Sequence, residues 1–245
     1  MKLFPAILVV TLLAVSARAQ TPAPVPKNTP APAATPAAKT FKPGPFTYKM
    51  PVKAIAGTRH DIDAGSRGWS PKLPAVYVLA PDHTGLTVSG QPTLFWYQSG
   101  PATTHIEVTI IEPHKPGRVL RVGAEKAEQG GIHRLSLARY NVTLSPGVVY
   151  KWTVALVPDA ANRSEDLIAS DTIERIEPDA QLTAALAGAK GLNKAAVLAS
   201  KGIWYDALAA VTDEIDASPK DKDLRLQRAA LLEQAGLKHA AASEH

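Results

Sequence analysis

The hydrophobic period of this chain changes once, at Pro178, and that change fixes what it can fold into: alternating runs lie before it and helical spacing lies after it. Upstream, candidate strands fall at 75–80, 94–98, 105–111, 119–122, 132–137, 150–157 and 168–176. Turn residues separate them: Pro81-Asp82, Gly90, Ser99-Gly100-Pro101, 113–117, Gly130-Gly131, Pro146-Gly147 and Pro158-Asp159. In 105–111, period-two geometry puts Ile106, Val108 and Ile110 on one face and His105, Glu107 and Thr109 on the other. Seven short strands in about 100 residues predict a two-sheet β-sandwich of fibronectin III or immunoglobulin type. Downstream, Leu182, Ala185 and Leu186, then Ala195, Leu198 and Ala199, then Trp204, Ala207, Leu208 and Val211, then Leu224, Ala230 and Leu231 predict four helices. The first opens at Pro178-Asp179, and Ser218-Pro219 precedes the last. The expected class is therefore α+β by modules, a sandwich followed by a small helical cap. Gly236-Leu237 reads as the final helix stop, leaving 239–245 as a frayed tail.

The N-terminal part constrains the compartment. Lys2, the apolar run 3–15 and the small residues of Ala17-Arg18-Ala19 have the form of a signal peptide over 1–19, with the mature chain starting near Gln20 in the periplasm or outside the cell. No later run approaches the roughly 20 apolar residues of a spanning helix, so no transmembrane segment is expected after cleavage. Residues 21–45 carry Pro every few positions and almost no large apolar side chain, the composition of an extended spacer. A strap with Tyr48, Ile55, Ile62 and Trp69 follows. The expected organisation is signal 1–19, tether and strap 20–72, β domain 73–177, helical domain 178–238 and tail 239–245.

The chain has no cysteine, which excludes disulfides, a thiolate nucleophile and a lipoprotein acyl anchor. Its net charge of +5 is unevenly spread: +2 on the signal, +6 on residues 20–74 and −3 on the rest. A basic arm on an acidic body fits a solubilising spacer better than it fits contact with anionic envelope polymers. Nucleic acid is not an expected partner, because no basic stripe interleaves with aromatics.

Three local patterns add detail. Leu94-Phe95-Trp96-Tyr97 supplies an aromatic strand, although sequence does not say which face Trp96 and Tyr97 occupy. Leu144 to Val154 (LSPGVVYKWTV) resembles the lead-in to strand F of fibronectin type III domains, which implies that the Tyr150 hydroxyl bonds a backbone carbonyl near Leu144. Gly202, Trp204, Ala207 and Pro219 stand at the spacing of the Gly, Tyr, Ala and Pro positions of one tetratricopeptide motif. More broadly, the blocks GLTVSGQPTLFWY (85–97), NRSED (162–166) with Ile173-Glu174-Arg175, and GIWYDAL (202–208) resemble those of the domain of unknown function family 928. The resemblance covers about Val76 to Leu237. It implies an exported bacterial protein without assigned activity and transfers no catalytic residue.

Chemistry-bearing motifs are few. The histidines (60, 83, 105, 114, 133, 239, 245) include no pair at helical ligand spacing, so neither a metal site nor any cofactor is expected. No nucleophile elbow, phosphate loop or dinucleotide fingerprint occurs. His60-Asp61-Ile62-Asp63 reads as solvated loop. The polar cluster Arg163, Ser164, Glu165, Asp166, Asp171, Glu174 and Arg175 is the candidate site: Arg163–Asp166 or Arg175–Asp206 pairs would lock the two modules, or the cluster would form a recognition patch. Arg163, Asp166, Arg175, Tyr205 and Asp206 are the candidate binding residues. The expected function is a non-catalytic envelope binding or assembly module whose partner is an envelope protein or a glycan. The alternatives are a carbohydrate-binding sandwich, which requires a row of exposed aromatics, and a polysaccharide-active enzyme using carboxylates such as Glu107, Glu112 or Asp166. Oligomeric state is not legible.

Overall fold

In the computed structural model, alternation between Val76 and Arg175 resolves into eight strands. They are β1 (Val76–Val78), β2 (Gly85–Thr87), β3 (Thr93–Gln98), β4 (His105–Ile111), β5 (Arg118–Ala124), β6 (Gly131–Ser136), β7 (Val149–Val157) and β8 (Leu167–Arg175). The structure describes residues 46–51, 73–112, 115, 117–124 and 129–245. The expected signal, the tether, most of the strap and the His60 to Asp63 motif lie outside the described residues.

β1, β3 and β6 form an antiparallel three-stranded sheet, and the other five form a sheet in the order β2-β8-β7-β4-β5. All seven expected strands are present, and β2 is an addition that pairs parallel with β8. The alternation in β4 buries Ile106, Val108 and Ile110. Register sets them beside Leu156, Val154 and Trp152 of β7, which in turn oppose Leu167, Ala169 and Asp171 of β8. One face of the larger sheet is therefore a wall of core residues, because directly paired residues point the same way.

After Pro178 come five helices: α1 (Ala180–Ala187), α2 (Gly191–Ser200), α3 (Trp204–Ala217), α4 (Lys222–Gln234) and α5 (Lys238–Ala242). Asp179 caps α1 by accepting the Leu182 amide at 2.7 Å, and Asp221 caps α4. Gly236 ends α4 at φ +78, with the Leu237 amide returning to the Leu232 carbonyl. Residues 239–245, expected to fray, instead contain most of α5. Ala240 and Ala241 are buried, and Glu244 forms a two-pronged ion pair with Arg228, closest at 2.8 Å and almost removed from solvent. The described residues make one compact unit, and a single core runs from Phe95 and Trp152 between the strands to Trp204 and Leu231 in the helices.

Trp96, Tyr150 and Trp152 are all core, and Tyr97 is half-buried. The Tyr150 hydroxyl differs in detail from the expected bond: it accepts the Ser145 amide at 3.1 Å. The Leu144 carbonyl is instead taken by Arg175, whose Nη1 donates to it at 2.9 Å.

Candidate functional site

Arg134 of β6 pairs with Asp213 and Asp216 of α3 at the surface, and three further residues that join helices to strands sit on the first turn of α3. Gly202, at φ +75, turns the chain between α2 and α3, so Trp204, Tyr205 and Asp206 project from a helix start against strand ends. The Trp204 indole donates to the Leu79 carbonyl at 2.8 Å. Tyr205, fully buried, accepts from the Trp152 indole at 2.8 Å and donates to the Thr172 carbonyl at 3.2 Å. Burial, with the Asp171 carboxylate adding to it, pushes the Tyr205 hydroxyl well above its ordinary pKa and keeps it protonated. Gly85 makes room for the ring: a Cβ there would lie 2.6 Å from Tyr205 Cε2. Asp206 accepts the Val88 amide at 3.1 Å. Burial raises its carboxyl pKa, opposed by the Thr87 hydroxyl and the Val88 amide.

The expected polar cluster is divided by this geometry. Arg163 and Asp166 do meet, with Nε 2.6 Å from the carboxylate, but they lie where β7 turns into β8. Asp206 lies beside Val88, just past β2, which pairs with the other end of β8. A nine-residue strand separates the two places, a distance on the order of 25 Å at strand rise. Arg163 therefore does not lock the helices to the strands; Trp204, Tyr205 and Asp206 do so, with the Arg134 pairs to Asp213 and Asp216. Nor do Arg175 and Asp206 pair. Arg175 donates to Leu144 and reaches Glu177 at 3.5 Å, while Asp206 is held by the Val88 amide. Asp171, on the inner face of β8, is buried.

What Arg163 and Asp166 build is an exposed charged fork on the outer face of the larger sheet. Glu107 of β4 receives two guanidinium groups: Arg121 at 2.9 Å and Arg163 at 3.0 Å. The hydrogen bond from Arg121, reinforced by Arg163, holds the Glu107 carboxyl below its usual range, and Glu107 in turn raises Arg163. The guanidinium side chains remain 43% and 41% exposed. Asp166 is 4% exposed and its Oδ1 is buried with no hydrogen-bond partner among the described residues.

A second constellation escaped the sequence reading. Phe46–Pro51 crosses the helices as an extended segment: the Lys49 amide donates to the Ala199 carbonyl at 3.1 Å, the Tyr48 amide to Gln234 Oε1 at 2.8 Å, and Gln234 Nε2 to the Phe46 carbonyl at 2.5 Å. The Tyr48 ring stands edge-on to Trp204, and its hydroxyl is 2.9 Å from His83 Nε2. His83 Nδ1 faces Asp82 at 3.2 Å, which favours the Nδ1–H tautomer and makes Tyr48 the donor. Burial raises the Tyr48 pKa, as does the Asp82 charge. Tyr48 and Gly202 were visible in the sequence, but nothing there paired them with His83 or Gln234.

Tyr97, Tyr77 and the exposed His239 form a row of stacked rings with centroids 6.2 and 5.2 Å apart. A small cleft lined by Tyr77, Leu79, Leu237, His239 and Ala240 adjoins it. Among the described residues no group of three His, Cys, Asp or Glu could hold a metal ion, and no helix is long and apolar enough to cross a membrane.

A family model described as Domain of Unknown Function (DUF928) matches residues 62–245. No curated protein matches the sequence. A crystal structure of an engineered protein is similar at 17% identity over 43% of this chain, with a TM-score of 0.29. The chain spans 21% of that engineered protein's length, and a likeness at that score carries no argument.

Proposed function

The chain belongs to the DUF928 family, whose description assigns no activity, and from that premise we propose that it is an exported, non-catalytic binding or assembly module of the cell envelope. The observation that carries this reading is the fork of Arg121 and Arg163 around Glu107. Two half-exposed guanidinium groups are held in place by a carboxylate beneath them, so little side-chain freedom remains to be lost when their outward N–H groups meet a partner. Arginine so presented is typical of protein interfaces. The partner it suits is an envelope protein or glycan bearing carboxylate or similar acidic groups. The protein would work in the periplasm or outside the cell, tethered by the Pro/Ala-rich segment.

On this reading the two sheets are a fibronectin III-like sandwich, supported by the inward Tyr150 and its bond to the Ser145 amide. The α2–α3 pair is a tetratricopeptide-like unit, supported by buried Ala195, Ala199 and Ala207, which let helices approach closely. The expected test is affinity capture from envelope extract with the intact chain and with Arg163→Ala. The variant should keep its unfolding midpoint and lose the recovered partner. Equal recovery by both chains would remove the fork from the function, and if the unfolding midpoint also fell, Arg163 would be structural.

A further inference from the structure

The segment Phe46–Pro51 is bound as a peptide ligand is bound. Its main chain exchanges hydrogen bonds with Ala199 and with both ends of the Gln234 amide. Phe46 is buried to 3% exposure, and Tyr48 reaches His83. Thr47, between these anchors, is exposed. Main-chain bonds with side-chain anchors at alternate positions are how grooves recognise extended peptides. The floor is shaped for it: a Cβ on Gly202 would lie 2.7 Å from the Lys49 carbonyl oxygen and 2.8 Å from Pro51 Cγ. The walls, His83, Ala199, Gly202, Trp204 and Gln234, all lie in the family-matched stretch 62–245, while the occupant lies before it.

We propose that this groove is a recognition site for an extended partner segment of the form aromatic-x-Tyr, kept closed by the chain's own strap. The strap belongs to the same chain as the groove, with the 21 residues 52–72 between it and residue 73, so its own binding is intramolecular. A partner segment must therefore bind more tightly or be presented at high local concentration to displace it. This site is separate from the arginine fork and does not depend on it.

The test uses the full chain and a fluorescein-labelled peptide of residues 42–51. In the strap-disabled variant Phe46→Ala/Tyr48→Ala the groove is open, and saturable binding is expected by anisotropy. Binding to the unaltered chain should be at least about tenfold weaker, since its own strap competes. Adding Gln234→Ala to the strap-disabled chain should weaken binding, and a peptide with alanine at both aromatic positions should not bind. No binding by a folded variant, equal binding by the alanine peptide, or equal affinity for both chains would overturn the proposal. Hydrogen exchange on the unaltered chain gives an independent reading. The Tyr48 and Lys49 amides should exchange through a local opening, far faster than the Leu208 amide within α3. Exchange only with global unfolding, or a strap-disabled chain that does not fold, would make the strap part of the core and overturn the proposal.

Discussion

Tyr205→Phe removes one oxygen and leaves two groups without their bond, the Trp152 indole N–H and the Thr172 carbonyl. An unsatisfied buried donor costs about 1 to 3 kcal/mol, and urea unfolding should show a loss of that size. Gly85→Ala should be similarly harmful, because the added Cβ meets the rigid Tyr205 ring at 2.6 Å. Asp206 tests electrostatics instead. Its folded pKa is raised by burial, so its charge costs stability at neutral pH, and that cost is relieved as pH falls through the raised value toward the unfolded one. Asp206→Asn should therefore gain on the parent at pH 7 relative to pH 4, read as the difference in unfolding free energy at the two values. Glu107 has the opposite sign. Its lowered pKa gives stability that is present above the unfolded carboxyl range and lost below it. The sequence marked Tyr205, Asp206, Arg163 and Asp166 as polar or aromatic residues in distinctive blocks. It paired Arg163 with Asp166, three residues on, and that pair forms; it paired Asp206 with Arg175, which it does not meet, and it missed Glu107 and Val88, because Arg163 meets Glu107 56 residues away and Asp206 meets Val88 118 residues away.

Strand β4 was legible to the residue because one of its faces is wholly apolar and the other is polar from His105 to Thr109. Strand β2 was not. Three residues, Gly-Leu-Thr, are too short to alternate visibly, and their partner is the distant β8 rather than a neighbouring hairpin. Helix α5 was missed for a related reason: Lys-His-Ala-Ala-Ala has no large apolar side chain, and its place is held by the Arg228–Glu244 pair beyond it. Removing one partner of a buried pair strands the other charge, at a cost of about 3 to 5 kcal/mol. Glu244→Gln should thus destabilise the molecule as a core substitution would, and also accelerate proteolysis at 238–245.

For the molecule as a whole, the change of period at Pro178 separated strands from helices correctly, and the helices nonetheless share one core with the strands. The α3 turn places Trp204 and Tyr205 beside Leu79 and Trp152. Urea unfolding followed by tryptophan fluorescence and by far-ultraviolet circular dichroism should give coincident curves. Two separated transitions would show that helices and strands unfold independently. The placement of Asp206 and Tyr205 has a further consequence in time. A ribosome or translocation channel delivers β2 long before β8, its parallel partner, and before α3, which fastens it. Strand β2 must wait without its sheet partner until β8 has emerged, while β1 already pairs β3 and β4 already pairs β5. Such distant pairing makes closure slow, and the nascent protein spends that interval in the form most readily threaded through a pore or captured by a chaperone.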